Sequence, residues 1–359
     1  MVDADAASAD GAADGGTAAA ATVEPATDTS VERLKRKALR GEGVSHAEAL
    51  YLAEAPIDEV VAAADVIREQ TMGDGVDTCS IVNAKSGGCE EDCGFCAQSA
   101  HFDTDVDRYD LLDLDEIVEA AKRAEADGAN RFGIVVAERG ISKEDRPEEF
   151  AKILEAVRRI RDETGIEPDA SLGLITEEEA ADLVEAGLQH FNHNIETARS
   201  FFDEVVSTHD YEDRVRAIRV AKDAGMHTCA GVIFGMGESV EHRIEAAVDL
   251  RRIGVDTVPV NVLNPVPGTP FEEYAKIGVD EILQGIAIYR FLMPETVIRL
   301  TGGREENLKD AQGDALRAGA NGLLIGDYLT TEGQGAEEDH AMIEEQGMHV
   351  EDVEANGAD

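Results

Sequence analysis

The chain has 359 residues, 43% of them hydrophobic, with only 4% aromatic and no tryptophan, so a sizeable core is available and it must be aliphatic. Acidic residues outnumber basic ones 76 to 32, a formal net charge of −44, which excludes nucleic-acid backbones and anionic membranes as partners. Residues 1–30 hold six acids and 332–359 hold ten, neither with a base, so −28 remains between them; the globular part itself has the acidic, lysine-poor composition of a halophilic-type protein, whose self-repulsion molar salt screens.

In chain order, residues 1–30 are biased to Ala, Asp and Gly, with no basic or apolar run. They predict a disordered leader and not a secretory signal. Over 31–77, "VERLKRKALRG" and "HAEALYLAEAPIDEVVAAADVIREQTMG" are apolar at helical spacing and predict a helical extension. From 78 to 331 the pattern changes. Short apolar runs at 78–84, 131–137, 170–175, 190–195, 227–235, 257–263, 297–302 and 322–328 alternate with amphipathic stretches such as "RPEEFAKILEAVRRIRDETG" and "VEHRIEAAVDLRRIG". Eight strand–helix units over about 250 residues predict an α/β fold, a (β/α)8 TIM-type barrel; a doubly wound open sheet also fits the alternation. Residues 332–359 are expected to form a disordered acidic tail. No 18 consecutive apolar residues occur, so no membrane span is expected. Five cysteines, three of them clustered, are not a disulfide framework and point to a reducing, cytoplasmic setting.

The cluster is "SGGCEEDCGFCAQSAH", residues 86–101, in the loop after the first predicted strand. Functional groups of a barrel belong at the C-terminal ends of its strands. Cys89, Cys93 and Cys96 at C-x3-C-x2-C can converge on one metal centre. A zinc site would need a fourth ligand, His101 or Cys79. A three-thiolate iron–sulfur cube would leave one iron open to a small molecule.

The C-x3-C-x2-C spacing with Phe95 before the last cysteine resembles the signature of radical S-adenosylmethionine enzymes. "CSIVNAKSGGCEEDCGFCAQSAH", "NHNIET" (192–197), "STHDYEDR" (207–214), "CAGVIFGMGE" (229–238), "PVNVLNPVPGTP" (259–270), "IRLTGGREENL" (298–308) and "ANGLLIGDYLTTEGQ" (320–334) are similar, in the same order, to the biotin synthase branch. The resemblance implies a [4Fe–4S] cluster on Cys89, Cys93 and Cys96, with S-adenosyl-L-methionine chelated at the open iron. It implies cofactor contacts from Asn194, Glu196 and Arg214, and substrate contacts from Asn194 and from Asn261, whose amide suits the cyclic urea of dethiobiotin. The implied reaction is sulfur insertion into dethiobiotin after hydrogen abstraction by a 5′-deoxyadenosyl radical. A flavodoxin- or ferredoxin-type electron donor and a homodimer are implied as well.

The branch also carries a [2Fe–2S] cluster deeper in the barrel, held by cysteines on the second, third and fifth strands and an arginine on the seventh. Here Cys229 and Arg299 match, but Gly133 and Asp169 stand where the other two cysteines are expected. Three readings follow: a biotin synthase supplied with sulfur by a partner protein, by a degenerate cluster on Cys229, Asp169 and Arg299, or by exogenous sulfide; a sibling radical enzyme without sulfur transfer; and a non-catalytic metal- or cluster-binding protein. The Gly-rich "FGMGE" suits either an adenine contact or a tight turn.

Overall fold

The computed structural model describes residues 30–330 and 333–351. The leader expected over 1–30 lies, except for Ser30, outside the described residues. Helices α1 (Val31–Ala38), α2 (His46–Glu54) and α3 (Ile57–Met72) form the expected extension, packed on the barrel.

The barrel strands are β1 (Gly75–Lys85), β2 (Arg131–Val136), β3 (Glu167–Ser171), β4 (His190–Asn192), β5 (His227–Cys229), β6 (Val232–Phe234), β7 (Thr257–Val262), β8 (Val297–Leu300) and β9 (Gly322–Leu324). All pair in parallel, and β9 returns to β1, so the sheet closes. β5 and β6 are two halves of one barrel strand, which gives eight in all. Between them come α4 (Leu114–Ala126), α5 (Pro147–Glu163), α6 (Glu177–Ala186), α7 (Tyr211–Asp223), α8 (Val240–Ile253), α9 (Val279–Leu292) and the short α10 (Arg304–Leu308) and α11 (Gln312–Arg317). The open-sheet alternative is thereby excluded. The core is Val, Ile, Leu and Ala, as the scarcity of aromatics requires. No described helix is long and apolar enough to cross a membrane.

Two predicted strands differ from those found. The third was expected over 170–175, but β3 begins at Glu167, because "EPDAS" pairs with Arg131–Val135 on one side and meets His190 and Phe191 on the other. Leu172 and Ile175, which suggested a strand, lie past its end and are buried in the main core. Gly173 turns the chain there at φ +74°, and a Cβ on it would lie 2.2 Å from Arg139 O. The run 227–235 breaks at Ala230 and Gly231, where the chain crosses so near β7 that a Cβ on Gly231 would lie 1.8 Å from Pro259 O.

The disordered tail expected over 332–359 is corrected in its described part. Helix α12 (Ala336–Glu345) and strand β10 (His349–Val350) fold back, β10 pairing with Gly75 and Val76 of β1. Asp339 is fully buried, and Arg304 Nη2 donates to both its carboxylate oxygens at 2.7 and 2.8 Å. Ile343 and Met348 join the core. Glu337, Glu338, Glu344 and Glu345 are exposed on its outer face and mask the inward face of Asp339, Ile343 and Met348.

Candidate active site

β1 delivers the cysteine loop to the C-terminal mouth of the barrel. Gln98 fastens the loop to its strand: its Oε1 accepts from Asn83 Nδ2 and Ser86 Oγ, both at 3.1 Å. Cys89 N donates to Gln98 O at 3.0 Å, and Gly94 N to Val205 O at 2.8 Å. All three sulfurs line a cavity of about 540 Å³. Backbone amides point at two of them, from Glu91 to Cys89 and from Gln98 and Ser99 to Cys96. Burial pushes the Cys89 thiol up to about 11 and raises Cys93 and Cys96 too. Such thiols stay protonated unless a metal displaces the proton.

Among the described residues no three His, Cys, Asp or Glu side chains converge closely enough for a single metal ion. The zinc alternative also lacks its fourth ligand. His101 is exposed, its Nε2 2.9 Å from Glu90 O, and Cys79 lies on β1 inside the barrel, away from the loop. The three cysteines share one loop and one cavity wall.

Asn194, Glu196, Arg214 and Asn261 line the same cavity. Arg214 is buried and is not a solvated helix charge, whereas its neighbour Arg216 is exposed. Its Nη1 donates to Glu196 Oε1 and to Asn194 O, both at 3.0 Å, and its Nη2 lies 3.6 Å from Cys93 Sγ. Glu196 has φ +65°, a left-handed backbone that a side chain rarely adopts. Burial raises its carboxyl against the pull of Arg214, and Oε2 is left without a partner. A strained, buried carboxylate oxygen with nothing bonded to it suits a ligand hydroxyl.

Asn261 is largely engaged within the protein. Its Oδ1 already accepts from Thr301 Oγ1 at 2.9 Å and Gly302 N at 3.0 Å, which uses both lone pairs. Its Nδ2 donates to Val232 O at 3.2 Å, leaving one N–H. The amide offers a ligand a donor but no acceptor. "FGMGE" resolves as a tight turn: Gly235 N and Met236 N donate to the Glu238 carboxylate at 2.8 and 2.7 Å, so these amides are taken.

Sequence reasoning passed over Glu91 and His209, although both lie inside the quoted motifs. Arg214 Nε donates to His209 Nε2 at 2.8 Å, so the ring proton sits on Nδ1, which donates to Glu91 Oε2 at 2.6 Å. Burial opposes the charge on Glu91, yet bonds from His209 and Thr208 hold it below the usual carboxylate range. The chain Glu91–His209–Arg214–Glu196 thus locks the guanidinium beside Cys93. Cys229 and Arg299 lie deeper, on the barrel floor, with Arg299 Nη1 3.7 Å from Cys229 Sγ. They do not share the upper cavity.

Two family profiles match: the Radical SAM superfamily over residues 84–251 and the Biotin and Thiamin Synthesis associated domain over 259–349, the latter including the folded C-terminal segment. The chain is 54% identical over 322 residues to the biotin synthase of Natronomonas pharaonis, spanning 89% of this chain and 87% of that one. It is 47% identical to the biotin synthase of Geotalea uraniireducens, over 89% and 97% respectively. Among solved structures it resembles methylornithine synthase with a TM-score of 0.77 at 21% identity, covering 89% of this chain and 98% of that one. A maturase of the [FeFe]-hydrogenase superposes with a TM-score of 0.75 at 18% identity, over 90% and 75%. These two likenesses concern the fold.

Proposed function

This chain belongs to the biotin synthase family of radical S-adenosylmethionine enzymes, and from that premise we propose that it converts dethiobiotin to biotin with the residues gathered around the upper cavity. The observation that carries this reading is the convergence of Cys89, Cys93, Cys96, Arg214, Glu196 and Asn261 on one cavity. The donor set fits a [4Fe–4S] cluster, with three soft sulfurs, backbone N–H groups aimed at two of them and room beside them. When bound, that cluster supplies the electron that cleaves the sulfonium of S-adenosylmethionine to methionine and a 5′-deoxyadenosyl radical.

The protein's part is to bind and orient. Arg214, held from behind by His209, presents its guanidinium to the cofactor carboxylate. Glu196 Oε2 accepts from a ribose hydroxyl, and Asn194 completes that contact. Asn261 donates its remaining N–H to the ureido oxygen of dethiobiotin. Ile81, Val135 and Ile233 give the cavity apolar walls that keep water from a radical. A flavodoxin- or ferredoxin-type donor and a homodimeric state belong to this reading.

The family's usual [2Fe–2S] ligand set does not fit. Gly133 has no ligating side chain, and the Asp169 carboxylate is a hard donor where a soft one is expected. This departure keeps a second reading in view, a sibling enzyme that cleaves the cofactor but transfers no sulfur.

The deciding experiment is anaerobic turnover with a chemical reductant, measuring 5′-deoxyadenosine with and without dethiobiotin. Production that depends on dethiobiotin and yields biotin is expected; cofactor cleavage indifferent to dethiobiotin would overturn the substrate assignment. Asn261→Asp keeps an oxygen at Oδ1 but removes the free N–H. Its KM for dethiobiotin is expected to rise about ten- to a hundredfold, with a smaller change in kcat, as loss of one buried hydrogen bond predicts.

A further inference from the structure

The spacer between Cys89 and Cys93 is Glu90-Glu91-Asp92, and its three acids are used unequally. Glu90 is exposed, whereas Glu91 is buried and Asp92 half-buried. Both inner acids reach across 115 to 118 positions of chain to one short segment, residues 207–209. Asp92 Oδ1 accepts from Ser207 N at 2.8 Å and from Thr208 N at 3.1 Å, and its Oδ2 accepts from Ser207 Oγ. In return Asp92 N donates to Thr208 Oγ1 at 3.2 Å. Glu91 Oε2 accepts from Thr208 Oγ1 and from His209 Nδ1, and Arg139 Nε lies 3.4 Å from its Oε1. Gly94 N, just past Cys93, adds its bond to Val205 O.

Residues 207–209 lead into α7, and Arg214 stands near the start of that helix. A guanidinium has five N–H groups. Here Nε is committed to His209, and Nη1 to Glu196 and Asn194 O. Nη2 is left, 3.6 Å from Cys93 Sγ, beside the cavity that Arg214 lines. The bond at Nε therefore sets where the free edge points. An imidazole can make that bond only as a ring whose proton sits on Nδ1, so that Nε2 is free to accept. Glu91 selects this tautomer by accepting at Nδ1.

We propose that Glu91 and Asp92 are positioning residues for the cofactor: from within the cysteine loop they fix residues 207–209, and through the His209 tautomer they aim Arg214 at the carboxylate of the cofactor's methionine part. The cysteine loop and the carboxylate-binding arginine are then one cooperative unit, and loosening either loosens both. This deepens the reading of Arg214 given above and rests on it.

Two measurements on the metal-free full chain test the unit itself. In the long-range nitrogen-15 spectrum of the imidazoles, the signal that disappears in His209→Phe is expected to come from a neutral ring protonated at Nδ1. A ring protonated at Nε2, or at both nitrogens, overturns the proposal. If that variant does not fold, the unsubstituted chain's spectrum, assigned through ring-to-backbone correlations, decides in the same way. In hydrogen exchange, Asp92→Ala is expected to accelerate residues 86–101 and 205–214 together, by at least about tenfold, with α12 and β10 unchanged. Acceleration confined to the cysteine loop refutes the coupling.

The third readout is kinetic, in the reconstituted enzyme. Glu91→Ala is expected to raise KM for S-adenosylmethionine about ten- to a hundredfold, with kcat changed less than about threefold. Glu91→Gln keeps an acceptor for Nδ1 and is expected to recover most of that loss. Equal defects in both variants, or a fall in kcat alone, would reduce Glu91 to a loop anchor and overturn the proposal. Failure of the unsubstituted enzyme to cleave the cofactor would sink the radical-site reading, while the two metal-free measurements still decide whether the unit exists.

Discussion

Cys93→Ala is expected to abolish 5′-deoxyadenosine formation, a loss of at least about a thousandfold, with the barrel intact by circular dichroism. The cysteine is buried at the cavity wall, and its sulfur is the one that Arg214 approaches, at 3.6 Å. A three-cornered cradle that loses one corner has no way to keep a fourth iron open, because the remaining two thiols cannot define a cube. Alanine removes few packed atoms, so folding stability is expected to fall by no more than about 1–2 kcal/mol. Anaerobic high-performance chromatography of the nucleoside products reads the result. Unchanged nucleoside release would refute the cluster assignment.

Arg304→Ala is expected to destabilise the protein by about 3–5 kcal/mol, because it leaves the Asp339 charge buried without its counter-ion. The effect should be local first: hydrogen exchange is expected to accelerate in α12 and β10 before the barrel. It should also depend on pH. Burial pushes the Asp339 carboxyl up to about 6 even with Arg304 opposing it, so the folded protein binds that proton more tightly than the unfolded chain. A raised carboxyl favours the native state more as pH falls. The deficit of the variant should therefore shrink from pH 8 to pH 5 and grow again as pH rises through about 6. Urea denaturation at several pH values measures this, and a pH-independent deficit would contradict it.

The barrel and the cysteine loop were legible in the sequence for a plain reason: both are local patterns. Alternation of apolar runs with helical periodicity needs only a short window, and so does C-x3-C-x2-C. What was missed depends on distant contacts. Glu91 and His209 bond across 118 positions of chain, and nothing near either residue announces the partner. The third strand was placed late because Leu172 and Ile175 are buried in the core beyond the strand's end, so their apolar character reports burial and not sheet pairing. The C-terminal segment was mistaken because composition averages over faces: Asp339, Ile343 and Met348 turn inward while their acidic neighbours turn out. The family resemblance singled Asn261 out for a ligand, yet its acceptor is spent within the protein, which only coordinates reveal.

The pairing of β1 with both β9 and β10 has a bearing on how the molecule is made. The cysteine loop leaves the ribosome early, but the neighbours that seal its strand are translated about 240 to 270 residues later. A nascent chain therefore carries exposed thiols with no finished vessel around them.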